Sequence, residues 1–294
     1  MKILITGGTG QLGSDCARLL RKDHDVTAVG SKELNISHPR EVEKAIQHFL
    51  PDILINCAAY TRVDDCETEK IRCRDVNVNG PTLLSKWMDK LRGILIHISS
   101  DYVFDGKKPL PEPYVESDST SPLSEYGKTK LSSERAVQEA IGRHIIIRTA
   151  WMYGINGSNF LKTMLKLALT DSKKEIRVVN DQFGSPTWSR RLSLQISRMI
   201  EEDVHGIYHA TSEGYCTWYE LACYFLEKMD VSHNIIPCTT DAYPLPARRP
   251  NNSILENRRL KEEGIHVMKH WRVDLDQFIS EFGQRLIKEE SRRP

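Results

Sequence analysis

The sequence predicts an α/β protein, a Rossmann-type doubly wound parallel sheet followed by a smaller mixed α/β lobe. Three observations carry that expectation. A glycine-rich turn, Gly7-Gly8-Thr9-Gly10-Gln11-Leu12-Gly13, stands between a short apolar run and a segment of helical period. Apolar runs of strand length then alternate with helical segments through the first half, the pattern of a parallel sheet with helices on both faces. At 294 residues the chain is long enough for one large domain or a domain and a half. Residues 1–150 are expected to form a dinucleotide-binding domain and 151–294 mainly a substrate lobe, with part of 180–200 returning to the first domain.

The first strand is expected at 3–6, and the glycines follow it directly. Gly7 allows a tight turn, Gly10 lets backbone approach a pyrophosphate, and Gly13 lets the helix pack closely on its strand. Gln11 and Leu12 then offer helix N-terminal N–H groups to the phosphates. The spacing is G-x-x-G-x-x-G, and a plain glycine loop is the competing reading. Further strands are expected at 26–29, 53–56, 94–99 and 145–149, with helices at 40–50, 80–91 and 125–141. Ser37 is expected to cap the first of these helices.

Ligands of such sheets bind at the carboxyl ends of the strands. The second strand ends at Gly30, where an NAD-selective site usually has an acidic residue. Ser31 and Lys32 follow and favour the 2′-phosphate of NADPH, with NADH possible and Glu33 a competing ribose partner. After the third strand, Ala58 and Ala59 would let a flat cofactor lie against backbone. The fourth strand ends in Ser100-Asp101-Tyr102-Val103-Phe104. A proline-rich loop then leads to Tyr126 and Lys130, four residues apart and so on one helix face. Tyr224 and Lys228 repeat that spacing but follow no hydroxyl-bearing strand end. A tyrosine hydroxyl titrates near 10 and is sluggish at neutral pH; a nearby ammonium would ease its ionisation. Lys130 could supply that charge, Tyr126 the proton, and Ser100 a hydrogen bond to a carbonyl oxygen.

Composition narrows the classes. Lysine plus arginine number 41 against 40 acidic residues, so no general field points to nucleic acid or to an acidic membrane. Seven cysteines without C-x-x-C pairs read as reduced thiols, and neither a signal peptide nor a membrane span is expected. The expected location is the cytoplasm.

Ser100, Tyr126 and Lys130, taken with Gly7, Gly10 and Gly13, resemble the extended short-chain dehydrogenase/reductases. The segments 56–64, 100–104, 122–130, 148–154, 180–187 and 246–250 resemble, within that group, the dTDP-4-dehydrorhamnose reductases, over nearly the whole chain. The resemblance implies NAD(P)H-dependent reduction of the 4-keto group of dTDP-4-dehydro-L-rhamnose or of another dTDP-4-keto-6-deoxysugar. Ser100 stands where threonine is common and keeps the hydroxyl. The expected cofactor contacts add Asn35, Tyr60 and Asn77 to the residues above, together with Tyr126 and Lys130. The expected substrate contacts are Thr61, Val63, Ser100, Asp101, Tyr102 and Trp151. Arg248 and Arg249 are expected to grip a diphosphate, guanidinium forks being suited to phosphate; an ion pair tying the lobe to the sheet competes. Met152, Trp188, Trp218 and Trp271 are expected to pack. Some relatives use magnesium between subunits, but matching glutamates are not evident here, so no metal is expected; monomer and homodimer both remain open.

Two competing readings share much of this pattern. Nucleotide-sugar dehydratases of the same fold carry an Asp-Glu pair after the strand-end hydroxyl, whereas here Asp101 is followed by Tyr102. The regulatory subunit of methionine adenosyltransferase resembles the same family and binds NADP. It shares the strand-end and tyrosine motifs, so Trp151 and the segments 180–187 and 243–250 are what favour an enzyme.

Overall fold

The computed structural model describes residues 1–291. Five strands of the first half, β1 (Lys2–Thr6), β2 (Asp25–Val29), β3 (Ile53–Asn56), β4 (Ile94–Ser100) and β5 (His144–Thr149), form a sheet with a sixth, Gly206–His209. The spatial order is Gly206–His209, β5, β4, β3, β1, β2, and every pairing is parallel. The strands are runs of Ile, Leu and Val because both faces of the sheet are covered. One face packs on helices Gln11–Leu20 and Ser189–Glu201 through Ile3, Ile5, Ile55, Leu192 and Ile196. The other packs on helices Pro39–Phe49, Gly80–Lys90 and Glu125–Ala140 through Leu4, Leu54, Val42, Leu84 and Val137. Each such side chain contributes about 1.5–3 kcal/mol when fully buried. The strand direction reverses its lateral progress between β1 and β3, and this switch point opens the crevice in which a sheet of this kind binds ligands.

Gly206–His209 lies within the stretch expected to form the second lobe, yet it is the sixth strand of the main sheet, hydrogen-bonded to β5. The cap expected of Ser37 is not made: His38 precedes the helix Pro39–Phe49, and the Ser37 hydroxyl donates to Asn35 Oδ1 at 2.8 Å. The second lobe has its own core. Trp188, Trp271, Phe225 and Phe278 are buried there among helices Phe160–Thr170, Trp218–Lys228 and Trp271–Glu290. A parallel strand pair, Glu175–Val179 with Asn234–Cys238, flanks it.

Candidate active site

The glycine turn takes the shape that its residues predict. Gly7 has φ +68°, a left-handed conformation that other residues rarely adopt. A Cβ on Gly13 would lie 2.3 Å from the Gly7 carbonyl oxygen, so the helix can start here only with glycine. Gly10 caps the helix with no side chain, leaving the first-turn N–H groups without an internal acceptor. They border a groove of about 590 Å³ lined by Gly7, Gly10, Gln11, Leu12 and Gly13. Ser31, Asn35, Ala58, Ala59, Ser100, Tyr126, Lys130 and Trp151 line the same groove. A backbone cradle of this form at a helix N-terminus fits a dinucleotide pyrophosphate.

Three expected cofactor residues lie elsewhere. Lys32 is exposed and outside the groove lining. Tyr60 and Asn77 stand behind the wall: the Tyr60 N–H donates to Asn77 Oδ1 at 2.7 Å, and Asn77 Nδ2 donates to the Tyr60 carbonyl at 3.1 Å. They shape the segment after β3 from behind, a task that a one-dimensional pattern cannot separate from contact. Glu33 turns inward to accept the Gly30 N–H at 2.6 Å and so supports the turn after β2.

A second pocket, of about 250 Å³, shares Thr61, Ser100, Asp101, Tyr126, Trp151 and Met152 with the groove. Val63, Tyr102, Phe160 and Trp218 also line it. Ser100 ends β4 in extended conformation, and its hydroxyl accepts the Tyr102 N–H, starting the short turn Asp101–Val103. The same hydroxyl donates to Asp101 Oδ1 at 2.8 Å. Burial pushes the Asp101 carboxyl up to about 6, opposed by that hydrogen bond and by the Ser253 hydroxyl.

Tyr126 and Lys130 sit on one face of the helix Glu125–Ala140, whose first turn Ser124 caps by accepting the Gly127 N–H. Burial, then the Asp101 carboxylate, raise the Tyr126 phenol above its usual value, while the Ser100 hydroxyl beside it pulls the other way. Burial lowers Lys130 to about 8, partly offset by Glu134. Its Nζ donates to the Ile98 carbonyl at 2.6 Å. Burial and the Asp101 charge, not Lys130, dominate the Tyr126 phenol, which is held as an acid. That is the form needed to give a proton to an oxygen on which negative charge develops.

A third cavity, of about 650 Å³, shares Trp218 and Phe160 with the small pocket and carries Arg177, Arg248 and Arg249. Arg249 is already engaged: its Nη2 meets Asp64 Oδ2 at 2.7 Å and its Nη1 meets Oδ1 at 3.0 Å. The competing reading of an ion pair tying the lobe to the sheet thus describes Arg249. Met152 and Trp218, expected only to pack, line the cavities, whereas Trp188 and Trp271 are buried. The sequence held one signal for Trp218. The Thr217-x-x-Glu220 capping box sets it at the first position of a helix, where a side chain can project beyond the lobe core.

The RmlD substrate binding domain family model matches residues 1–284. The chain belongs to the RmlD family. The spore coat polysaccharide biosynthesis protein SpsK of Bacillus subtilis is 38% identical over 281 residues, covering 95% of this chain and 97% of that protein. The dTDP-4-dehydrorhamnose reductase of Escherichia coli K12 is 36% identical over 298 residues, covering 96% and 98%. The crystal structure of dTDP-4-dehydrorhamnose reductase from Bacillus anthracis in complex with NADP superposes with TM-score 0.91 at 34% identity, covering 96% of this chain and all 100% of that one. As in its RmlD relatives, the fold is a mostly parallel central sheet with helices on both faces. Among the described residues there is no group of three or more His, Cys, Asp and Glu side chains placed to hold a metal, and no helix is long and apolar enough to cross a membrane.

Proposed function

We propose that this RmlD-family chain reduces the 4-keto group of a dTDP-4-dehydro-6-deoxyhexose, with dTDP-4-dehydro-L-rhamnose as the substrate and dTDP-L-rhamnose as the product. The observation that carries the reading is the shared wall: Ser100, Asp101 and Tyr126 border both the dinucleotide groove and the small pocket. A carbonyl placed in the pocket would face the groove across that wall. NADPH supplies the hydride when bound. Gly7, Gly10, Gly13 and the first-turn N–H groups hold the pyrophosphate, and Ala58 and Ala59 leave room for a flat ring. Tyr126 holds the proton on its phenol until the carbonyl oxygen gains charge, then transfers it. Ser100 donates to the same oxygen once its hydrogen turns from Asp101, and the buried ammonium of Lys130 stabilises the phenolate left behind. Thr61, Val63, Tyr102 and Trp151 surround the sugar, and Arg177 and Arg248 offer charge to the diphosphate. The groove is built mainly from 1–150 with Trp151 and Met152 joining its lining, both halves share the small pocket, and the arginine-bearing cavity lies in 151–294.

The test is a coupled assay that generates dTDP-4-dehydro-L-rhamnose in situ and follows oxidation of NADPH or NADH. Turnover should fall by roughly 10²–10⁴ in Tyr126→Phe, the range set by loss of a general acid, with NADPH affinity kept. A wild-type chain that binds NADPH but leaves this substrate and related keto-sugars unreduced would overturn the reading and favour a cofactor-binding subunit.

A further inference from the structure

Trp151 and Trp218 form a stacked pair whose centroids are 3.6 Å apart at an interplanar angle of 9°. Phe160 closes on the Trp218 ring at 4.6 Å. On the edge of the Trp151 indole the chain presents Gly184: a Cβ there would lie 2.4 Å from Cε2 and 2.7 Å from Nε1. Trp151 itself has φ +44°, a left-handed backbone that a bulky side chain rarely adopts unless its surroundings impose it. The stack and the bare glycine are those surroundings. The pair also has a distinctive place. Trp151 lines the dinucleotide groove and the small pocket, and Trp218 lines the small pocket and the arginine-bearing cavity. The two stacked rings therefore form a wall that runs past all three spaces.

We propose that Trp218 and Gly184 are positioning residues, which fix the Trp151 indole as the flat apolar wall against which the deoxysugar lies. The proposal rests on the keto-sugar reductase reading above. A deoxyhexose has C–H faces and a methyl group that suit an aromatic surface, whereas its hydroxyls do not. Once the nucleotide end is held in the third cavity, the tilt of this wall decides whether the carbonyl meets Tyr126. A misplacement of about 1 Å at such a point costs on the order of 10²-fold in rate. Gly184 acts by absence, because any side chain would displace the indole from its stack.

The experiment uses the full chain with NADPH and the dTDP-4-keto-6-deoxyhexose, comparing wild type with Trp218→Ala, Trp218→Phe and Gly184→Ala. Turnover is read alongside NADPH affinity by titration and the circular-dichroism couplet that two stacked indoles produce. Trp218→Ala and Gly184→Ala should lose the couplet and about tenfold or more of kcat/KM for the sugar nucleotide, with part of the loss in kcat and NADPH affinity within about twofold. Trp218→Phe should lose the couplet but regain most of the turnover, since a flat ring still supports Trp151. Loss of the couplet with kcat/KM unchanged in Trp218→Ala or Gly184→Ala overturns the proposal, as does a parallel loss of NADPH affinity in either. If the alanine variant at 218 does not fold, Trp218→Leu decides, because it keeps apolar volume without a flat ring; wild-type turnover in it overturns the proposal. Inactive wild type overturns the reductase reading as well, whereas active wild type with indifferent variants overturns this inference alone.

Discussion

Asp101 is where stability and chemistry pull apart. Its carboxyl is raised from 3.8 to about 6 by burial, although the Ser100 hydroxyl bond favours the ionised form. The folded chain therefore binds more protons than the unfolded chain between those values. Its contribution is fully present below the unfolded value and is lost as the pH rises through about 6, a change of roughly 3 kcal/mol. Asp101→Asn keeps an oxygen for Ser100 and removes the buried charge. It should be more stable than wild type at pH 7 by up to about 3 kcal/mol, with the difference vanishing toward about pH 4. Urea unfolding across that range checks this, and a difference independent of pH would exclude the carboxylate as its source. The position of Asp101 after a strand-end hydroxyl was legible in the sequence. Its burial was not, because the turn Asp101–Val103 and the helix Glu125–Ala140 come from separate stretches of chain.

Among the elements, the glycine turn was the most legible, since its three glycines answer to local backbone geometry. Gly13→Ala should weaken NADPH binding at least about tenfold and lower the melting temperature, because the new methyl would meet the Gly7 carbonyl and the helix start would have to move. Gly142→Ala is the control: nothing lies within 4 Å of its added carbon, so both measurements should stay at wild-type values. Calorimetry with NADPH titration distinguishes them, and equal effects of the two substitutions would refute close approach as the reason for glycine at position 13. The Ser37 cap failed as an expectation for a related reason. The Asn35 side chain took the Ser37 hydroxyl and backbone N–H, and helix-capping preference cannot rank such neighbours.

Across the whole molecule, one ion pair links the loop after β3 to the proline-rich segment of the second lobe. Asp64 accepts both Arg249 nitrogens and the Ala247 N–H, and the pair is only partly exposed. Asp64 is lowered from its usual range: burial acts to raise it, but the Arg249 hydrogen bond and charge outweigh that. Asp64→Ala and Arg249→Ala should each raise KM for the sugar nucleotide, and the double variant should be scarcely worse than either. A double-mutant cycle on stability should give a coupling on the order of 1 kcal/mol. Additive effects would show that the pair does not tie the two parts together. Arg248, exposed and also lining the neighbouring cavity, is the arginine of the two that does not pair with Asp64.

The sequence by itself determined the alternation of strands and helices, the glycine cradle, and the hydroxyl, tyrosine and lysine of the candidate site, because each depends on spacing within one element or one turn. Tertiary structure decided what depends on distant segments meeting. It set Tyr60 and Asn77 behind the groove wall, committed Arg249 to Asp64, made Gly206–His209 a strand of the main sheet, and laid Trp218 against Trp151. Lys130 shows the division within one side chain. Helical spacing put it on the face of Tyr126, but burial and the Ile98 carbonyl, both supplied by the fold, govern its charge. Local periodicity fixes which way a residue faces; only the packed molecule fixes what it meets there and how much water is left.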